Sequence, residues 1–426
     1  MANTLLTSTI ISKELLMQFE NTLIMARKVD WSYNDKFGNG NDQIGSTYSV
    51  RVPVLTTVTR NNMAYSAQAI VDKKVVVTVA NSYTSGFSFS DGDLALKVED
   101  FSRRYVKQAT AVLAATFDKD IADTVINSYI GGDGSGNDVT GAAIAGYNGG
   151  AWVVGNYSTA LDTGTILKAK ELLLNSGCPD DGDIVGVLDP AANTQLSDAA
   201  LKLFNAQEKI ARVYTTGYIG DFAGIEFNVS QSLGSHTNGA AATIAVTSAA
   251  GNAKTVWAES ADLTVTALSG AVKAGDVFES VVYHVNPLTK TPTADKKQFT
   301  VVKDAAAGAT TITVMPAPIV SGADQNISAT IASTTLTLKD AVNVVGREAL
   351  IFHSKAIAAV SPKLEMPKKS SFDMAEQIDE NELRLRFLRG YDAVGASGAV
   401  GFISRLDAYM GFKVLRGDWV VRCRHS

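Results

Sequence analysis

Histidines, cysteines and clustered carboxylates are the side chains of this chain that could do metal or acid–base chemistry. The four histidines are scattered, with no pairing at the spacing of metal ligands: His236, His284, His353 and His425. The sequence contains neither a Gly-x-Ser-x-Gly nucleophile elbow nor a Gly-x-x-x-x-Gly-Lys-Ser/Thr phosphate loop. We therefore predict no catalytic residue, no cofactor and no metal ion, and we expect a protein that is not an enzyme.

Three groups of acidic residues have simpler interpretations than chemistry. Residues 131–138 resemble a calcium-binding nonapeptide repeat, but the pattern occurs once and Gly136 stands where an aspartate ligand is needed. This segment is therefore predicted to be a flexible loop. The other two groups are predicted to be a solvated helix face and a turn, respectively: Asp118, Asp120 and Asp123 beside Lys119, then Asp180, Asp181 and Asp183 after Pro179.

Length and composition narrow the class of protein. A chain of 426 residues can form two or three domains, and its net charge of −5 provides no global basic field to bind nucleic acid. Only two cysteines occur, Cys178 and Cys423, which favours assembly in a reducing cytosol. No signal peptide or membrane span is visible. The low charged fraction, 19%, suits a subunit that buries surface against neighbours, and equally a β-rich extracellular protein.

Helical periodicity predicts the elements that must position these residues. An amphipathic helix is expected within residues 10–29, with Leu16, Phe19 and Leu23 on its apolar face. This helix either docks on its own domain or forms an arm that contacts a neighbouring subunit or an assembly chaperone.

A long helix is predicted over 98–129, roughly 45–50 Å at ~1.5 Å per residue. Its apolar stripe would be Phe101, Tyr105, Ala109, Val112, Phe117, Ile121 and Val125. Two further helices are predicted over 165–175 and 191–205.

Alternating and continuous apolar runs predict the strands. Residues 47–53 and 74–79 alternate, and the polar connection between them includes Arg60, so an extended hairpin with little core of its own is expected. Such a hairpin must find packing elsewhere, for example on an adjacent subunit. Residues 184–188 form a continuous apolar run, as a buried strand does. Residues 349–353 are expected to resume the α/β pattern, and strands are expected over 383–387 and within part of 412–421.

A separate β unit interrupts this α/β pattern between residues 239 and 342. Short Val- and Thr-rich runs alternate there with Gly, Pro and Lys/Asp turns, which is typical of a small barrel or sandwich. The predicted strands are 243–247, 262–268, 276–283, 298–303, 310–315 and 327–331. We expect this insertion to fold autonomously.

Several segments together resemble the coat proteins of short-tailed double-stranded-DNA bacteriophages. Within the insertion these are Lys-Ala-Gly-Asp-Val-Phe at 273–278, Gln-Phe-Thr-Val at 298–301 and Ile-Thr-Val-Met-Pro-Ala at 312–317. Outside it, similar segments are 98–105 with the Ala-rich run 109–115, 218–225, 349–360, 386–392 and 404–411. The order and spacing of these segments carry the likeness, which extends over most of residues 45–420.

The resemblance implies an α+β protein with the tailed-phage major capsid fold and an inserted all-β, barrel-like domain. Its implied parts are an N-terminal arm (1–40), an extended loop hairpin (41–88), a peripheral domain with a spine helix (89–180), the first part of an axial domain (181–238), the insertion (239–342) and closing axial and peripheral segments (343–426). Some relatives link subunits through Lys–Asn isopeptide bonds. Lys73 and Lys74 lie near the hairpin, but we expect non-covalent contacts.

The implied function is self-assembly into an icosahedral shell of pentamers and hexamers around phage double-stranded DNA. Scaffolding and portal proteins, and DNA bound to the inner face without sequence specificity, are the implied partners; no membrane is involved. Assembly in the host bacterial cytoplasm would place the protein in the virion capsid. The alternatives are a shell subunit of a bacterial nanocompartment and a secreted β-rich surface or adhesin protein.

The residues predicted to make assembly contacts are Leu16, Phe19, Leu23, Arg60, Arg384 and Arg386. The last two belong to a basic C-terminal set that also contains Arg389, Arg405, Arg416, Arg422 and Arg424. Alternation of Arg384 and Arg386 with Leu385 and Phe387 predicts one solvent-exposed strand face. That face would carry ion pairs within or between subunits, or contact packaged DNA.

Overall fold

The computed structural model describes residues 22–33, 47–58, 72–79, 81–90, 107–127, 151–201, 220–362, 364, 374–380, 383–392 and 401–426. The chain divides into two compact units. The first consists of Met1–Tyr48, Val77–Lys119 and Ala358–Phe412, and the second of Ser49–Val76, Asp120–Ile357 and Lys413–Ser426. Within the described residues, few helices and many strands form the α+β architecture that the sequence predicts.

The helices are α1 (Lys107–Ile126), α2 (Thr163–Asn175) and α3 (Pro190–Leu201). The strands are β1 (Thr47–Val52), β2 (Lys73–Thr78), β3 (Asn81–Ser90), β4 (Trp152–Gly155), β5 (Ile184–Leu188), β6 (Asp221–Phe222), β7 (Ile225–Val229), β8 (Ser235–Thr237), β9 (Thr243–Ala245), β10 (Ala261–Thr264), β11 (Val277–Val285), β12 (Pro292–Val301), β13 (Thr311–Met315), β14 (Thr335–Leu338), β15 (Val345–His353), β16 (Ile357–Val360), β17 (Met374–Glu380), β18 (Leu383–Asp392), β19 (Gly401–Val414) and β20 (Val420–His425). No helix in these described ranges is long and apolar enough to cross a membrane.

The second unit is built on a mixed seven-stranded sheet. Its strand order is β4-β20-β15-β5-β7-β6, and β8 also pairs with β15. The central strand β5 is buried at all five positions, which explains its continuous apolar sequence. Helices α2 and α3 pack on this sheet through a shared apolar core. The Asp162 side chain accepts a hydrogen bond from the Thr165 amide and so fixes the start of α2. The predicted strand 184–188 is confirmed, and α2 begins two residues before the predicted position.

The insertion forms a sheet and a core of its own. Six antiparallel strands lie in the order β10-β13-β12-β11-β14-β9, all between Thr243 and Leu338. The apolar core contains only residues of this segment, with Phe299, Val301 and Leu336 fully buried. One predicted strand, 327–331, is wrong: Ile327 makes only an isolated bridge with His284. The sixth strand is β14 instead, because its Thr-Leu-Thr-Leu sequence alternates exposed and buried positions as a strand with one buried face requires.

In the first unit, β16, β19, β18 and β17 form a sheet in that order, and β3 pairs along β19. Helix α1 belongs to this unit up to Lys119 and to the second unit from Asp120. It is described from Lys107, so the first part of the predicted 98–129 helix lies outside the described residues. It ends at Ile126, and its twenty described residues span about 30 Å. Val112 is 65% exposed, contrary to the predicted apolar stripe, since Leu113 and Ala114 occupy the buried face instead.

The acidic residues of α1 do not form the predicted solvated face. Asp118, Asp120 and Asp123 are all less than a tenth exposed. Asp118 accepts hydrogen bonds from the backbone amides of Ile24 and Ala26, both at 2.9 Å. Burial raises the pKa of Asp118, and these amide hydrogen bonds oppose that rise. The prediction failed because the sequence around a buried aspartate that accepts hydrogen bonds from backbone amides can look the same as the sequence around a solvent-exposed one.

The segment held by Asp118 replaces part of a predicted helix. Among the described residues of the 10–29 prediction, 26–28 form a short 3-10 helix and 23–25 are not α-helical, so the prediction is wrong there. The amides of Ile24 and Ala26 bind the Asp118 carboxylate rather than continuing a helix. Leu23 is 2% exposed and the Trp31 indole donates to the Ala26 carbonyl at 2.8 Å, so this segment docks on its own unit. Leu16 and Phe19 lie outside the described residues.

We predict that residues 239–342 fold when expressed alone, because their sheet and core need no other part of the chain. A well-dispersed amide NMR spectrum is the expected result. Phe299→Ala should destabilise the fragment by about 3–5 kcal/mol, since it removes a fully buried ring. Val281→Ala, at a position 55% exposed, is the matched control and should leave stability nearly unchanged. A collapsed spectrum for the unsubstituted fragment would contradict the prediction.

Candidate functional site

A carboxylate shared by two guanidinium groups lies at the centre of the seven-stranded sheet. Glu348 on β15 and Arg424 on β20 are register partners, and Arg422 lies two residues before Arg424 on the same strand face. Arg422 binds Glu348 through two nitrogens, at 2.5 and 2.8 Å, and Arg424 Nε lies 3.1 Å from Oε1. The Tyr157 hydroxyl donates to the same Oε1 at 2.6 Å. Glu348 and Arg422 are completely buried, and Arg424 is 1% exposed.

The electrostatics of this cluster keep the carboxylate ionised. Burial alone would raise the pKa of Glu348, but Arg422 and Arg424 outweigh burial and lower it to about 2. Burial and the neighbouring Glu348 raise the pKa of Tyr157, which therefore stays protonated and donates. The two terminal nitrogens of Arg424 have no hydrogen-bond partner in the described part of the chain, and its guanidinium lies 4.6 Å from the Tyr157 ring centre. That stacking suits a guanidinium with spare donors.

A second polar group, next to this cluster, joins the insertion to the rest of its unit. Arg422 donates its third hydrogen bond to the Gly275 carbonyl at 2.7 Å, immediately before β11. Asp276 accepts a hydrogen bond from the Gly239 amide. The start of the insertion, at Gly239, is thereby bonded to the residue that directly precedes β11. His236 on β8 lies between Asp276, at 3.0 Å, and Asn127 at the end of α1, at 2.9 Å. The sheet, α1 and the insertion therefore meet in one buried junction.

Two glycines make this close approach possible. Gly275 has φ +90°, and a Cβ there would lie 2.4 Å from the Ile126 carbonyl oxygen. A Cβ on Gly239 would lie 2.6 Å from the Ala271 carbonyl oxygen. Both obstacles are backbone atoms, which cannot move aside as a flexible side chain could. The motif Lys-Ala-Gly-Asp-Val-Phe thus owes its glycine and its aspartate to this junction.

Strand β12 provides a second line of contact between the insertion and the sheet. Gln298 bonds both backbone groups of Val153 on β4, accepting at 2.7 Å and donating at 3.1 Å. The Lys297 ammonium, 1% exposed, pairs with Asp418 at 2.7 Å. Further along, Asp295 pairs with Lys168 of α2 at 2.7 Å. The insertion is therefore fixed to its unit by hydrogen bonds with partners far apart in sequence.

A groove of about 480 Å³ runs beside these contacts, lined by parts of the hairpin, the insertion and residues 414–419. Its floor is mainly apolar, with Trp257, Pro316 and Trp419 among the lining residues. His284 also lines it, and burial, followed by the nearby Lys297, lowers the pKa of His284 to about 4. Lys73 is 6% exposed and paired with Asp324, whereas Lys74 is exposed. The Lys73 ammonium is thus already engaged within its own chain.

One histidine comes together with two aspartates in a way the sequence did not show. Ligand-type atoms of Asp181, Asp183 and His353 lie within 4.8 Å of one another. His353 Nδ1 accepts the Lys355 amide at 3.2 Å, so Nε2 carries the ring proton and donates to Asp181 at 3.1 Å. A metal ion bound to Nε2 would have to displace that proton. The proton could not move to Nδ1, because the lone pair of Nδ1 accepts the hydrogen bond from the Lys355 amide. The arrangement is therefore a buried histidine held by a hydrogen bond.

The structure places the predicted assembly residues as follows. Arg384 is 6% exposed and donates to the Ser361 carbonyl, and Arg386 pairs with Asp407 at 2.6 Å. The predicted solvent-exposed arginine face is therefore wrong at Arg384, which is buried. Leu23 is buried on its own unit. Leu16, Phe19 and Arg60 lie outside the described residues. No structural contact described here shows an assembly role for any of the six.

Comparison with known proteins gives the family. The model of the family described as "P22 coat protein - gene protein 5" matches residues 1–387. The chain belongs to the P22 coat protein family. The resemblance to coat proteins of short-tailed phages, inferred from the sequence, is thereby confirmed. A search of curated proteins by sequence gave no match.

Solved structures also resemble this coat protein. A structure from Mycobacterium phage Che8 has 14% identity and TM-score 0.45, covering 94% of this chain and 90% of that chain. The capsid structure of Cyanophage P-SCSP1u has 14% identity and TM-score 0.41, covering 90% and 84%, respectively. The capsid of Ralstonia phage GP4 has 9% identity and TM-score 0.43, covering 92% and 85%. The assignment rests on the family match rather than on these likenesses.

As a member of this family, the protein is a major capsid protein that assembles with copies of itself into a phage shell. Family membership indicates a structural role rather than a catalytic one, and it places the protein in the virion capsid. It gives no support to the nanocompartment or the secreted adhesin alternatives.

Replacing one member of the buried cluster should destabilise the coat protein strongly. Arg422→Met would leave Glu348 fully buried with one guanidinium, and we expect a loss of about 3–5 kcal/mol in the free energy of unfolding. Urea unfolding of the unassembled chain measures it. The matched control is Arg347→Met, at the residue before Glu348 on β15. The Arg347 side chain is 61% exposed and lies 3.7 Å from Asp189. That change should cost less than about 1 kcal/mol. Equal losses would contradict a special role for the cluster.

Acid should remove the stabilisation that Glu348 provides. Its pKa in the folded protein, about 2, lies below the ordinary value of 4.5, so the contribution is complete above about pH 4.5 and is lost as the pH falls towards 2. The difference in unfolding free energy between the native chain and Glu348→Gln should therefore shrink across that interval. A difference that stays constant down to about pH 2 would argue against this pKa.

Proposed function

We propose that this coat protein closes an icosahedral shell of pentamers and hexamers around phage double-stranded DNA, and that the insertion braces each subunit while it does so. The observation that supports the brace is the contact between the independently cored insertion and the sheet. Gln298 bonds both backbone groups of Val153, and Arg422 links Glu348 to the Gly275 carbonyl. An insertion held at several separated points resists rotation about any one of them.

The proposed division of the chain follows the sequence segments. Residues 1–40 would form the arm, 41–88 the extended hairpin, 89–180 the peripheral domain, 181–238 and 343–426 the axial and closing segments, and 239–342 the insertion. The sheet and core confined to residues 241–338 support the last assignment.

The proposed partners are a scaffolding protein during assembly, a portal protein at one vertex and DNA on the inner face. Assembly would occur in the host bacterial cytoplasm. The net charge of −5 supports a wall that does not bind its cargo tightly, because a strongly basic lining would hold the polymer. Three of the C-terminal arginines fit this view, since Arg386, Arg422 and Arg424 form ion pairs within the chain.

For the predicted assembly residues we propose two kinds of role. Leu16, Phe19 and Arg60 are candidates for direct contact with a neighbouring subunit. Leu23, Arg384 and Arg386 would act indirectly, by holding their own unit in the shape that neighbours recognise. Their burial and internal pairing support this division.

Electron microscopy of the purified chain with and without a scaffolding protein tests the proposal. We expect closed particles of one size when scaffolding protein is present. Gln298→Leu keeps the side-chain size but removes both bonds to Val153, so we expect several-fold fewer closed particles. The matched control Lys296→Met, at a side chain 50% exposed, should assemble normally.

The two parts of the proposal fail in different ways. Absence of closed particles from the unsubstituted chain would contradict the shell role. Normal assembly by Gln298→Leu would contradict the brace while leaving the shell role intact.

A further inference from the structure

We propose that Asp123, Asn127, His236 and Asp276 form a buried hydrogen-bonded chain that holds one exchangeable proton and acts as a pH-sensitive joint between the end of α1 and the insertion. These four residues are called the proton joint below. The inference goes beyond the shell and brace roles, since it concerns how the junction responds to pH.

At the Asp276 end of the proton joint, both carboxyl oxygens accept backbone hydrogen bonds. This carboxyl group accepts from the Gly239 amide at 3.1 Å and from the Lys273 amide at 2.8 Å. His236 Nε2 lies 3.0 Å from Asp276 Oδ1, so this ring nitrogen must carry a proton and donate.

The other ring nitrogen also faces an acceptor. His236 Nδ1 lies 2.9 Å from Asn127 Oδ1. The Asn127 amide nitrogen points the other way, 3.1 Å from Asp123 Oδ1 and 3.4 Å from the Ser235 carbonyl, and both of these are acceptors. With the amide in this orientation, Nδ1 must donate as well, and His236 carries two ring protons.

Turning the Asn127 amide over does not remove the extra proton. Nδ1 would then accept from the amide nitrogen, and the amide oxygen would face Asp123. Two oxygens about 3 Å apart need a proton between them, so Asp123 would have to be protonated. In either arrangement, the proton joint contains one proton more than a neutral histidine with two ionised aspartates.

The surroundings make this proton removable. Burial lowers the pKa of His236, and the hydrogen bond to Asp276 opposes that change. Of the charges on neighbouring strands, Arg422 disfavours a second ring proton, whereas Glu348 and Asp276 favour it. When the pH rises and the proton leaves, one contact of the chain becomes two facing acceptors. We infer that the hydrogen bonding between the end of α1 and the insertion changes at the pH where this proton leaves.

NMR of the unassembled full chain, with histidines labelled by ¹⁵N and ¹³C, tests the inference. The resonances of His236 are identified by their loss in His236→Gln, or by elimination with the other three histidine variants if that protein does not fold. On the acid side of the titration we expect either a doubly protonated His236 ring or a neutral ring with its proton on Nε2 beside a protonated Asp123. As the pH rises, the Gly239 and Asn127 amide signals should shift with the same midpoint.

Two variants decide between outcomes. Asp123→Asn should move the His236 midpoint, whereas His353→Gln, which alters a separate hydrogen bond, should not. The inference is overturned if His236 stays neutral from about pH 5 to about pH 9 while the Asp123 carboxyl stays ionised throughout. It is also overturned if the Gly239 and Asn127 amides show no shift when His236 titrates.

Discussion

The carboxylate of Glu348 has no access to water, and the second unit depends on its being neutralised. A buried charge without partners would be too costly to keep, so both arginines of β20 must stay aligned with β15. This requirement fixes the register of the two strands more strictly than apolar packing could, since a slip of one residue would turn both guanidinium groups to the opposite face. The same Arg422 continues to the Gly275 carbonyl, so the position of the insertion follows from the register of the sheet.

The insertion is therefore both independent and constrained. Its own core provides the free energy that keeps its sheet folded, while its contacts with the rest of the unit include hydrogen bonds and an ion pair. Polar contacts between two preformed surfaces contribute specificity of position more than stability. That division suits a shell subunit, in which the shape of each copy decides whether the shell closes.

Local sequence patterns were sufficient for the elements that depend on local physics. Strand 184–188 and helix α2 were predicted to within two residues because continuous and periodic apolar runs have few alternative structures. The insertion was recognised from turn spacing, and only its last strand was misplaced. The family resemblance required the order of many weak segments, since no single motif was specific enough.

Long-range neutralisation could not be read from the sequence. Arginines that alternate with apolar residues look the same whether their partner is water, Asp407 or Glu348, and the partners lie 21 and 74 residues away, respectively. The same limit explains Asp118, whose buried amide partners are more than 90 residues distant. Glu348 itself was the available signal, because this carboxylate directly precedes the apolar run 349–352 of β15.

The ion pairs that the arginines form within the chain show how a container for DNA can be built from a sequence with basic segments. Arg422 and Arg424 are buried against Glu348, and Arg386 and Arg405 share Asp407, so one carboxylate offsets part of the charge of each arginine pair. Their ion pairs stabilise the sheet registers and reduce what these arginines add to a positive field at the surface. A subunit of this kind can use guanidinium groups for rigid, directional contacts and still present a wall that is not strongly basic. The mild acidity of the whole chain and the basic look of its C-terminal sequence are therefore consistent with each other.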